Sequence, residues 1–176
     1  MLSFRTTHAI TGELIATADR GSPRSPVLLI LQDRPIPQPD GPEARHLRVT
    51  PIRVSDQAWA QHPHGVPGVL DDIAAGIITP PHRPERGDGG FGSEIRTLAV
   101  AVGYDDIHTD PHADTITPVR RVDAVDTDGR VYQVTRLPDE RHGVAIVDDQ
   151  PDPDDTPATH PGLHALLNIL HRQPAA

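Results

Sequence analysis

The chain of 176 residues carries sixteen Arg but no Lys, no Cys, and 25 acidic residues, for a formal net charge of −9. These absences exclude a P-loop or kinase lysine, a Schiff-base lysine, a thiolate nucleophile, a thiolate zinc site and a disulfide. The acidic balance argues against nucleic acid as a partner, because phosphate binding needs a basic surface.

Leu, Ile, Val and Phe supply 42 residues, enough apolar material for a folded core rather than a disordered chain. Twenty Pro and 14 Gly predict short elements joined by many loops. The aromatics are Phe4, Trp59, Phe91, Tyr104 and Tyr132, so the core is expected to be aliphatic. No run approaches the roughly 20 apolar residues of a membrane span, and the first residues lack a secretory signal pattern. A cytoplasmic location is the resulting expectation. Arg standing for Lys throughout, with abundant Ala, Asp, Pro and Gly, reads as the codon bias of a GC-rich bacterial genome.

In chain order, residues 2–7 read as a first strand. Thr11 to Arg20 follows as a short helix capped by Thr11 and stopped before Gly21, with a strand as the competing reading. The continuous apolar run at 27–32 predicts a buried strand, after which Pro35, Pro37, Pro39 and Pro42 predict an extended loop. Leu47, Val49, Ile52 and Val54 are strand-like, and Pro51 marks that strand as an edge or a bulge. Ser55 begins a helical turn, and a second helix runs from about Pro67 to Ala75, burying Val69, Leu70 and Ile73. Residues 79–93 form a Pro/Gly-rich loop that leads into a strand through Ile95, Leu98, Val100 and Val102.

The clearest local signal is a hairpin at Asp126–Gly129. A three-residue loop with Gly129 at positive φ pairs Ala124 with Tyr132 and Val122 with Val134 on one face. The other face carries Arg121, Asp123, Gln133 and Thr135. A two-residue turn would set Val122 against Thr135 and mix the faces, so the longer loop is favoured. Val144–Val147 adds another antiparallel strand. Residues 148–160 read as an acidic, Pro-rich linker, and 161–172 as a terminal helix with Leu163, Leu166, Leu167 and Leu170 on one stripe.

Candidate chemistry is sparse. Gly87–Gly92 satisfies G-x-G-x-x-G, but a Pro-rich loop precedes it and a strand follows, the wrong context for a dinucleotide fold, and the kinase lysine is missing. None of the five Ser lies in a G-x-S-x-G elbow. His108, Asp110 and His112 alternate along an extended segment and could converge on one divalent ion such as zinc. A solvated acidic loop explains the same residues, and Pro111 interrupts a regular strand there. His62 with His64, and His160 with His164, are further pairs at ligand-compatible spacing.

Charge is unevenly distributed along the chain. Residues 1–104 hold 11 acids and 10 Arg, whereas residues 105–155 hold 14 acids and 5 Arg. If the second region gathers on one face, that face attracts a basic partner. The expectation is therefore an α+β domain (1–147) built on a mainly antiparallel sheet, followed by the linker and a helix docking on the same domain. Its first functional reading is a non-enzymatic binding or regulatory module without a cofactor, meeting a basic protein through Asp105, Asp106, Asp110, Asp148 and Asp149. Charge mimicry or neutralisation of a basic toxin would use the same physics. The alternative is a small metal-dependent hydrolase or metal-binding protein using His108, Asp110 and His112.

Overall fold

A computed structural model describes residues 1–20, 25–36, 44–80, 95–110 and 115–172. Ten principal elements follow in the order α1 (Phe4–Asp19), β1 (Val27–Ile36), β2 (Ala44–Ile52), α2 (Asp56–Gln61), α3 (Gly65–Ala74), β3 (Arg96–Asp110), β4 (Thr115–Asp126), β5 (Val131–Arg136), β6 (Val144–Asp148) and α4 (His160–Arg172). A one-turn 3-10 helix at Pro153–Asp155 lies between β6 and α4. The six strands form one sheet in the order β2-β1-β3-β4-β5-β6, and every adjacent pair is antiparallel. The protein is thus α+β.

Strand alternation sends successive residues to opposite faces of this sheet. One face buries Leu29, Leu31, Ala99, Ala101, Val122, Ala124, Tyr132 and Val134 against Ile10, Leu14 and Ala18 of α1. The other buries Leu28, Val100, Val102 and Val125 against α2, α3 and α4. The terminal helix docks in cis, with Leu163, Leu166 and Leu167 in that second core. Each such leucine contributes about 1.5–3 kcal/mol. Gly162 lets α4 approach α3 closely, since a Cβ there would stand 2.6 Å from the Leu70 Cβ.

The expected strand at 2–7 is replaced by the first turns of α1. Ser3 caps the helix, its Oγ accepting from the Thr6 N–H at 3.2 Å. Thr7, Thr11 and Thr17 each donate a hydroxyl hydrogen bond to the carbonyl four residues earlier, which satisfies these polar, β-branched residues inside a helix. The helix therefore begins seven residues before Thr11. Pro35 belongs to β1 rather than to a loop, opposite Arg45 of β2. The pairing with β3 ends at Asp33, and a strand with one open side accommodates a residue lacking an N–H. Pro37, Pro39, Pro42 and the glycine motif at 87–92 lie outside the described residues.

The hairpin has the longer loop. Ala124 pairs with Tyr132, Val122 with Val134, and Gly129 takes φ +84°. Pro51 sits on β2, which is an edge strand.

Candidate functional site

Asp105 and Asp106 are consecutive on β3, so their side chains leave opposite faces of the sheet. Each meets a guanidinium from β4. Asp105 pairs with Arg120 at 3.2 Å, and Asp106 with Arg121 at 3.2 Å. Arg120 is buried beneath the more exposed Asp105, and its guanidinium lies over Gly103, where a Cβ would come within 3.0 Å of it. Burial pulls the Arg120 guanidinium below its ordinary range, and the Asp105 carboxylate opposes that shift. These two acids are thus divided between two faces and neutralised in place.

His108 lies further along β3, exposed and opposite Thr117, and Asp110 ends the strand opposite Thr115. His112 lies outside the described residues. Among the described residues, no three His, Asp or Glu side chains converge as a metal site would require.

Asp148 and Asp149 stand on the other side of the sheet. Asp148 is aligned with Val131 and hence with the hairpin end of β4 and β5, whereas Asp105 is aligned with Arg120 and Arg136 at the far end. Asp105 and Asp106 therefore stand apart from Asp148 and Asp149.

At the hairpin end, acids organise structure. Asp126 is 1 % exposed, and its Oδ1 accepts from the backbone N–H groups of Asp128 at 2.8 Å and Arg130 at 3.1 Å. Its Oδ2 accepts from the Tyr132 hydroxyl at 2.7 Å. Arg130 then bridges Asp126, Asp128 and Asp149. Asp128 also receives the N-terminal ammonium at 3.4 Å and the Leu2 N–H. Burial works against the Asp128 charge, but these donors outweigh it and hold its pKa below the ordinary carboxylate value.

Past the hairpin cluster the chain changes character. Asp148, Asp149, Asp152, Asp154 and Asp155 are all exposed within eight residues. Only Asp149 has a cationic partner among the described residues. Asp152 caps the one-turn helix by accepting from the Asp154 N–H at 3.0 Å. The result is a narrow acidic rim that starts on edge strand β6 and continues toward α4.

Asp123 was not singled out from the sequence. It is fully buried on the α4 side of β4, and its Oδ2 accepts from the Tyr104 hydroxyl and the Thr159 hydroxyl, both at 2.7 Å. Its Oδ1 has no partner among the described residues. Burial pushes this carboxyl above its ordinary value. Thr159 immediately precedes α4, so the bond ties the end of the acidic segment to the sheet. Alternation within the buried run 122–125 was the available signal, since apolar neighbours on both sides imply burial of both faces.

Of the histidine pairs, His62 is held by packing and an acid. His62 reaches Asp72 of α3 at 3.2 Å and fills the space over Gly68, where a Cβ would lie 2.1 Å from its ring. His62 and His64 have ring centroids 5.9 Å apart, as do His160 and His164. Burial lowers the His160 pKa, with the neighbouring His164 adding to the effect. No helix among the described residues is long and apolar enough to cross a membrane. Comparison with protein families, curated proteins and solved structures returns no match for this chain.

Proposed function

We propose that the protein is a non-enzymatic binding module, and that the acidic rim Asp148–Asp155 is what it presents to a basic macromolecular partner. The observation that carries this reading is the contrast in partnering. Asp148, Asp152, Asp154 and Asp155 are exposed and lack a cationic partner among the described residues, whereas Asp105 and Asp106 each face an arginine. Exposed carboxylates clustered along one segment without a counter-charge add their attraction for a cation. Asp105, Asp106 and Asp110 are left out of the surface on this reading.

The test is titration of the whole protein with an extended Arg-rich peptide and with the same peptide carrying Gln for Arg, at low and high ionic strength. The expected result is binding of the Arg peptide only, weakened steeply by salt and by the combined change Asp152→Asn, Asp154→Asn and Asp155→Asn. Asn retains the capping role at position 152. Affinity unchanged by the triple substitution would refute the assignment.

A further inference from the structure

The two edges of the sheet are built differently. β2 carries Pro51 together with Arg45 and Arg48, devices that discourage pairing with another strand. β6 has neither proline nor arginine. Its side chains Val144, Ile146 and Val147 are 58 %, 64 % and 39 % exposed, and its outer main-chain groups have no neighbouring strand among the described residues. An exposed apolar edge of this kind is a template for strand addition.

The occupant can be argued from charge. Arg141 and His142 lie in the bend before β6, separated from it by Gly143, while Asp148 ends the strand and Asp149 follows it, with apolar residues between. Such a strand is complementary to itself when reversed. We propose that a second copy of the chain pairs with β6 across a two-fold axis at Ala145, extending the sheet to twelve strands by antiparallel β6–β6 pairing. In this register Val144 faces Ile146 of the other copy twice over, and the bend carrying Arg141 and His142 lies beside Asp148 and Asp149 of the other copy.

The groups at each end can take these contacts. Arg141 is exposed, with no partner among the described residues. Asp149 is 74 % exposed on its side chain while it holds Arg130, leaving room for a second cation. His142 contacts Asp19 at 2.9 Å through Nδ1 and is 66 % exposed. A register shifted by one residue at the axis would set Val144 against Asp148 and lose the match. The interface is isologous, so it closes at two copies. The pairing engages Asp148 and Asp149 at the start of the acidic rim but leaves Asp152, Asp154 and Asp155, the residues changed in the peptide test, outside the interface.

The test is sedimentation analysis of the full chain across concentration, followed by crosslinking, for which the absence of cysteine gives a clean background. A concentration-dependent dimer is expected, with its dissociation constant raised at least about tenfold by Ile146→Lys. Because Ile146 is exposed, that change leaves the fold intact. Mixing the single variants Val144→Cys and Ile146→Cys should give an oxidised heterodimer, and each alone much less. Directly opposed strand residues approach disulfide range. A monomer up to about 1 mM would overturn the proposal, as would a dimer indifferent to Ile146→Lys. An open series of larger oligomers, or crosslinking of each variant to itself but not to the other, would overturn the two-fold register. Because no basic peptide takes part, a failed dimer and a failed acidic rim give separate results.

Discussion

The outer end of the β3–β4 pair and the rim after β6 contain the same residue type put to opposite uses. On β3, Asp105 and Asp106 point to different faces and each is met by an arginine one strand away. After β6, Asp152, Asp154 and Asp155 are exposed with no guanidinium beside them among the described residues. A local excess of acid is therefore not yet a surface. It becomes one only where the neighbouring strand fails to supply the counter-charge.

Substitutions distinguish acids that hold the fold from acids left at the surface. The largest effect is expected at the hairpin, where Asp126→Ala removes three hydrogen bonds from buried or partly buried donors and one arm of the Arg130 bridge. A loss of about 2–4 kcal/mol in denaturant unfolding is expected. A loss under about 0.5 kcal/mol would show that this acid is surface charge after all.

Next comes Asp105→Asn, which leaves the buried Arg120 without its carboxylate. Because Asp105 is itself 59 % exposed, solvent screens the pair and the expected loss is about 1 kcal/mol. The combined Asn changes at 152, 154 and 155 should alter stability by no more than about 0.5 kcal/mol.

Two carboxylates should respond to pH with opposite sign. Burial raises the Asp123 pKa in the folded state, so its contribution to stability is fullest below the ordinary carboxylate value. That contribution falls as pH rises through the shifted pKa. Asp123→Asn should therefore gain on the parent as pH increases across that window. Asp19 is the reverse case, held low by the His142 hydrogen bond, with the Gly143 N–H and Arg136 assisting against burial. Its stabilisation is present above the ordinary carboxylate value and lost as pH falls through the lowered pKa. Stability curves of Asp123→Asn and Asp19→Asn with the same pH slope would contradict both assignments.

Much of this architecture was legible in the residues. The β4–β5 register followed from matching faces around Gly129, because a slip of one residue would have turned Val134 against Asp123. The terminal helix followed from its leucine stripe. The start of α1 did not, because Arg5 to His8 shows no apolar period and the supporting hydrogen bonds come from threonine hydroxyls. The pairing of the charged region was not legible for a related reason. Alternation alone separates Asp105 from Asp106, but the arginines that meet them emerge only from the β3–β4 register, whose connection at 111–114 lies outside the described residues. Asp123 was overlooked because its partner Thr159 lies 36 residues away.

If only the acids left unpartnered by the fold bind cations from outside, the Arg-rich peptide will tell two variants apart, one carrying Asp105→Asn with Asp106→Asn and the other Asp152→Asn, Asp154→Asn and Asp155→Asn. Near-parental affinity is expected for the first and at least about a tenfold loss for the second. Equal losses, or a larger loss from the strand pair, would contradict the role assigned to the rim.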